Sequence, residues 1–414
     1  MANSQQPQIA TTDLRRPHRA TGVFYPPAAP NANHRRPPTM TTRRRLPLSV
    51  LLVAAATPIL CSATTKPTTQ PTAAPAQMPL EIRVDPRVEL MSIIFHFAGH
   101  PEYDQCQIPS YKTDAHQHFA PFQEHEVFLF ARELRNRCGV SFDAVMSLAV
   151  HLTDAETLSE KLPFDPPPPT LDKRWTTHDA RKFRELARDF AQQSNFAAFL
   201  EQQSALYAKA QRQMQTLLET EARLDWFPGY FGPRPNTTFV VIPTFFSGNY
   251  GTRIQNADGT TEFHSIIITN ATLLGKPTFA NCMGTIVHEF CHSYCNPIVD
   301  RHLTQLQAAG ERIFPPLSQI MQRQAYGSWQ TMMYESAVRV CTVRYFAATA
   351  GPQAAQRAVR SEHKRGFIWT ADLSALLQQF ESQRDDYPTF ESFFPTIVEY
   401  FNANTDQIVE QVTK

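Results

Sequence analysis

The chain has 414 residues, 42% of them apolar, and a formal net charge of +1, enough for one large domain or two ordinary ones around a buried core. The near-neutral total hides an asymmetry. Residues 1–63 carry eight arginines and one aspartate, and the remaining 31 basic and 37 acidic residues leave −6. A mildly acidic body without a basic patch excludes nucleic acid as an expected partner.

In chain order, residues 1–39 are rich in Pro, Arg, Asn and Thr and lack apolar periodicity, so they read as disordered. Arg43, Arg44 and Arg45 then precede an apolar run over 46–61 and small residues up to Ala63. This is the layout of a secretory signal over 40–63, with Met40 as an alternative start that would leave 1–39 outside the translated protein. The run is short for a membrane span and contains Pro47 and Pro58, so cleavage is expected, with no stable span remaining. The expected location is exported: periplasm, cell envelope or outside the cell. Residues 64–80 form a stiff Pro/Thr/Ala linker. The folded domain is expected over 81–414, with a helical part at 81–235 and a metal-site part at 236–414. Six cysteines lie in it: Cys106, Cys138, Cys282, Cys291, Cys295 and Cys341. None forms a CxxC pair, and their even number permits disulfides without fixing a connectivity.

Apolar residues recur at helical spacing over 88–97, 126–137 and 142–152, with Gly99 and Cys138-Gly139 as stops. Prolines 163 and 166–169 interrupt the chain. A long helical pattern over 177–224 predicts two helices meeting near Gln193-Ser194, and the segment 226–233 ends it. The texture then changes to strands at 237–246 and 262–269, separated by turns at 248–251 and 256–259. Helical patterns resume after Asn270. The expected fold is mainly α with a small β-sheet (α+β), zincin-like, with an active-site helix directly after a strand pair.

That helix contains His288-Glu289-Phe290-Cys291-His292, an HExxH motif. Four residues of α-helix turn by about 400° and rise by about 6 Å. Both imidazoles therefore leave one face, one turn apart, within reach of a single zinc ion at roughly 2.0–2.1 Å. Glu289 is placed beside them as a general base. Pro297 is expected to end the helix one turn later. A catalytic zinc needs a third protein ligand. The extended motif with a third histidine fails, because Cys295 and Ile298 stand where Gly and His belong. Asp300 and His302 are nearby candidates beyond Pro297. Glu335, in the mostly apolar helical segment 329–340, is the better one. Its competing reading is an ordinary i,i+4 ion pair with Arg339.

These residues, VHEFCHSYCNP followed by YESAVR, resemble a bacterial family known as domain of unknown function 4932. The resemblance runs from about Val84 to the C-terminus and includes 88–94, Ala98-Gly99, 143–150 and 248–251. It implies an HExxH metallopeptidase with His288, His292 and Glu335 as zinc ligands and Glu289 as base, and it implies no particular substrate. Thermolysin-like enzymes carry an acid four residues after the ligand glutamate. Arg339 occupies that position here, so another group must orient His288.

The expected chemistry is hydrolysis of a peptide or protein substrate by a zinc-activated water. Tyr326, Tyr334, Arg339 and His264 are candidates for stabilising the oxyanion or supporting the ligands; the aromatic ones also read as core, and His264 as a strand surface residue. Strand 262–269 could pair with an extended substrate along its edge. A zinc hydrolase of non-peptide amides or esters, a catalytically idle peptide-binding scaffold and a helical structural protein with an accidental motif are the competing readings.

Overall fold

The computed structural model describes residues 79–413. The disordered extension, the signal segment and nearly all of the linker lie outside the described residues. Strand β1 (Leu80–Ile82) opens the fold, and the N-terminal helical part follows. Helix α1 (Pro86–Phe97) begins where the Asp85 carboxylate accepts from the Arg87 N–H at 3.0 Å, with Pro86 in the first turn. It is buried from Arg87 to Phe95. Helix α2 (Pro109–Phe119) meets it through Tyr111, which donates to Glu89, and through Phe119 against Phe97, and was not signalled by its polar sequence. Helix α3 (Glu126–Cys138) stops at Gly139 in the left-handed region, φ 70°, as a glycine cap requires. Helix α4 is Asp143–Val150.

The long pattern over 177–224 resolves into three helices, α5 (Thr177–Gln193), α6 (Phe196–Gln202) and α7 (Ser204–Glu221). The break at Ser194 was expected. The second, at Gln203, has no glycine or proline to announce it. The 226–233 segment is itself a short helix, α8 (Trp226–Phe231).

The sheet has four strands rather than a strand pair. Strands β2 (Thr237–Thr244), β3 (Tyr250–Gln255) and β4 (Thr261–Ile268) join β1 in the order β1-β2-β4-β3. The β1–β2 and β2–β4 ladders are parallel, and β3 is antiparallel to β4. Only 248–249 of the expected first turn lie outside the strands, because Tyr250 and Gly251 already pair with Ile266 and Ser265. The second turn closes the β3–β4 hairpin through Gly259 at φ 82°. Strand β4 is therefore interior, flanked on both sides, and has no free edge for a substrate; β1 and β3 are the edges, and β3 is the one beside the motif helix. A small ribbon, β5 (Asn270–Ala271) with β6 (Pro277–Thr278), leads on.

Helix α9 (Met283–Gln322) carries the HExxH motif and runs on through Pro297, Pro315 and Pro316. Pro297 does not end it. A helical proline loses one hydrogen bond and costs about 3 kcal/mol. Burial of Ile298, Val299, Leu306 and Ile313 beyond it contributes about 1.5–3 kcal/mol per side chain and offsets that cost. Asp300 and His302 are thus helical, contrary to expectation. The remaining helices are α10 (Trp329–Ala350), α11 (Pro352–Lys364), α12 (Thr370–Ser382) and α13 (Phe390–Thr413). The architecture is mainly α with a small mixed sheet, the α+β class expected. No described helix is long and apolar enough to cross a membrane.

Helix α9 packs on the sheet and on α10. Aromatics fix the first contact: Phe239 of β2 meets Phe290 at 4.7 Å between ring centroids, and Phe263 of β4 meets Tyr294 at 4.9 Å. The second contact turns on Gly310, where a Cβ would stand 2.4 Å from the Trp329 ring. Gly310→Ala should therefore lower stability by about 1–3 kcal/mol through overpacking, measured by urea denaturation. An unchanged midpoint would mean that Trp329 moves aside freely.

Candidate metal centre

His288 and His292 project from α9, and Glu335 comes from α10. One ligand atom from each lies within 4.8 Å of the other two. Glu335 bridges the imidazoles: its Oε2 is 3.5 Å from His288 Nε2 and its Oε1 is 3.4 Å from His292 Nε2. Two ligands about 2.0–2.1 Å from one tetrahedral zinc stand roughly 3.3–3.4 Å apart. The separations thus fit two ligands sharing an ion. They are also longer than a good hydrogen bond. Burial, then the neighbouring His292 and Arg339, hold the His288 pKa well below the usual imidazole range. The ring is neutral with a lone pair to offer, which is the ligand form of histidine.

Behind the ligands the partners differ. His292 Nδ1 is 3.2 Å from Asn296 Oδ1, one helical turn on, which orients the ring and directs Nε2 toward Glu335. His288 Nδ1 is buried without a hydrogen-bond partner among the described residues, so no group in the expected orienting role is found there. The ligand carboxylate has a strong partner. Arg339 Nη2 lies 2.9 Å from Glu335 Oε2, so Glu335 is both the i,i+4 ion-pair member and the third member of the ligand set. Arg339 also donates to the Tyr326 hydroxyl at 2.6 Å, pairs through Nη1 with Glu362 of α11, and lies 4.5 Å over the Phe367 ring. Arg339 and Glu362 are both fully buried.

Glu289 is buried next to the set. Burial, then the negative charges of Glu335 and Asp143, raise its pKa well above the carboxylate range, with Arg339 and the Gly251 backbone opposing. A dication within the ligand set would favour the ionised form a base requires. Strand β3 crosses directly over this stretch of helix. A Cβ on Gly251 would sit 2.2 Å from the Glu289 carbonyl oxygen and 3.1 Å from His292 Cβ. Ser293 Oγ donates to the Thr252 carbonyl at 3.4 Å and Ser265 Oγ to the Ile286 carbonyl at 3.3 Å, tying the motif to β3 and β4.

Of the four supporting candidates, Arg339 and Tyr326 stand behind Glu335. Tyr334 donates its hydroxyl to Asp300 at the protein surface. His264 is not in the site and is not a surface residue. It is fully buried, with Nε2 3.1 Å from Glu262 Oε2. Side chains alternate along a strand. Ser265 faces α9, so His264 faces the opposite side of the sheet, toward Arg87. The alternative third ligands are engaged elsewhere: Asp300 with Tyr334, and His302 with Gln305 at 2.7 Å. Sequence reasoning missed Asn296 and Glu362. The first was detectable as an amide four residues after His292. Glu362 sits in a strongly amphipathic helix and gave no sign of being buried.

Fold and site together define an α+β protein with a two-histidine, one-glutamate candidate metal centre on two packed helices. Residues 80–400 match the family described as a domain of unknown function (DUF4932), and the chain belongs to that family. No curated protein and no solved structure matches it.

Gly251→Val tests the close approach of β3. The branched side chain has no room against the Glu289 backbone, so β3 should lift from α9. We expect a lower thermal midpoint and at least a tenfold loss of whatever affinity the site has for an added divalent metal, the scale of lost ligand support, read by chelator competition. Wild-type values for both would show that the strand does not brace the site.

Proposed function

We propose that this protein is a zinc-dependent metallopeptidase. The observation that carries the reading is the convergence of His288, His292 and Glu335 within 4.8 Å, with Glu289 buried beside them. Two histidines and a glutamate form a recurrent catalytic zinc set. His288 and His292 supply imidazole nitrogens, and Glu335, held from behind by Arg339, supplies an oxygen. Zinc bound there would provide a Lewis acid and an acidified water. Glu289 takes the proton of the attacking water and passes it to the leaving nitrogen. Edge strand β3 offers an extended peptide a backbone to pair with as it passes the motif. The signal pattern over 40–63 supports export as the setting for this activity. N-terminal sequencing of protein from the cell envelope or medium should then begin near Thr64, and an intact 46–61 segment in the cytosol would refute export.

The decisive comparison separates ligands from base. The full chain should hold about one zinc per molecule, and His288→Ala and His292→Ala should each lose it. Glu335→Ala should weaken zinc binding about 10–100-fold or more, with activity falling alongside. Glu289→Gln should keep the zinc and lose peptide cleavage, with turnover down at least about 10²–10⁴-fold. Zinc content by elemental analysis and cleavage of a proteome-derived peptide pool give both readouts. Zinc retained in both histidine mutants would refute the HExxH motif as its binding site. Zinc bound with no peptide cleaved, but with small esters or amides hydrolysed, would leave a hydrolase of another substrate class.

A further inference from the structure

We infer that Cys295 of α9 and Cys341 of α10 are the two halves of a disulfide that joins the ligand-bearing helices. The inference does not depend on the peptidase reading. The two thiols face each other across the α9–α10 interface with Sγ atoms 3.8 Å apart, and both are fully buried. Cys295 lies three positions beyond His292, and Cys341 lies six beyond Glu335. A cross-link at that point would fix the two helices next to the place where their ligands converge.

The other described cysteines have different surroundings. Cys106 approaches the Ile108 carbonyl at 3.6 Å, Cys138 the Leu134 carbonyl at 3.2 Å, and Cys282 the Asn270 side chain at 3.4 Å. Cys291 hydrogen-bonds Thr342 and lies near both Cys295 and Cys341; it is on the same helix as Cys295, so a bond between those two would constrain neither helix against the other, and a Cys291–Cys341 bond is the competing outcome of the test. Among the described residues, Cys295 and Cys341 are the thiol pair whose sulfurs meet across two elements.

Bond formation needs the sulfurs to close to about 2.05 Å, a movement of side-chain scale. The two thiols together give up two protons and two electrons as the S–S bond forms. The electrons reduce a disulfide of the surroundings, such as glutathione disulfide or the oxidised dithiol of a disulfide oxidoreductase, to two thiols. Export would bring the chain into a compartment where such oxidants persist. Full burial shields both sulfurs in the folded protein, and burial raises the Cys341 pKa well above the ordinary thiol range, so the exchange belongs to folding. Once formed, the bond is equally shielded from reductant. It also closes a loop between positions 46 apart, which restricts the unfolded chain.

The test is refolding. The full chain is denatured and reduced, then refolded with zinc in a buffer of reduced and oxidised glutathione. It is then unfolded, alkylated without reductant and mapped by mass spectrometry. The expected product is one cross-linked Cys295–Cys341 peptide pair, two hydrogens lighter than the sum of its parts, with label at both positions at least fivefold below that at Cys138. Refolding in reductant alone should lower the thermal midpoint by several degrees. Cys295→Ala and Cys341→Ala should each abolish that redox-dependent difference, while Cys291→Ala should retain it. The mapping uses wild-type protein, so a variant that folds poorly does not obscure it. Full labelling of Cys295 and Cys341 after oxidative refolding would overturn the inference, as would a dominant cross-link between any other pair.

Discussion

A buried negative charge governs the arrangement of the helical half. Glu335, Arg339 and Glu362 are three charged groups in a row, each at most 5% exposed, with the arginine shared by both carboxylates. One positive charge does not neutralise two negative ones. Arg365 assists only from 4.0 Å on the outer side of Glu362. A buried carboxylate without compensation is expensive, and removing one partner of such a group strands the others. On the inner side of Glu335 stand the imidazoles of His292 and His288, the latter with its pKa pushed down by burial, and a carboxyl group whose pKa burial has raised. A cation at that point would relieve the imbalance and satisfy lone pairs that now face one another. The packing of α9 on α10 and of α11 on α10 encloses this row, so the helical half is organised around charge as much as around its apolar contacts.

The same row shows why the two readings of Glu335 do not exclude one another. From sequence, the i,i+4 spacing to Arg339 competed with the ligand role as though one excluded the other. A carboxylate has two oxygens and several lone pairs. Oε2 takes the arginine and still faces His288, and Oε1 faces His292. The arginine that replaces the acid of thermolysin-like enzymes therefore acts on the glutamate rather than on a histidine. Consistently, His288 Nδ1 has no hydrogen-bond partner among the described residues. The oriented histidine is instead His292, through Asn296.

What could be read from sequence was what local geometry determines. The HExxH spacing works on any α-helix, so His288, His292 and Glu289 were placed without knowledge of the fold. Helices α1 and α3 were visible because apolar spacing and a glycine stop agreed, and α4 from apolar spacing alone. Pro297 misled because its local cost is real but smaller than the burial available to the residues after it. The edge assignment failed for a topological reason. The expected pair, 237–246 and 262–269, do lie side by side as β2 and β4, but the segment between them, where no strand was expected, forms β3 and folds back onto the other side of β4 as a hairpin. No residue in β4 announces that it is flanked on both sides. Glu362 was invisible because its helix is polar overall and buries one face only.

Register explains how the sheet supports the site. Phe239 pairs with Phe263 across β2 and β4, and Ser265 pairs with Gly251 across β4 and β3. These four residues meet the motif region of α9 from one side of the sheet: the two phenylalanines through ring contacts, the serine through the Ile286 carbonyl, and the glycine through the Glu289 backbone. Size falls along this surface from ring to hydroxymethyl to hydrogen. The sheet is therefore farthest from the helix axis at β2 and closest at β3, where the catalytic candidate Glu289 and ligand candidate His292 lie. A one-residue slip in β3 would put Tyr250 or Thr252 at the position of Gly251, against a backbone that leaves no room for a Cβ. The glycine therefore fixes the register of the edge strand and its distance from the ligands through a single steric condition.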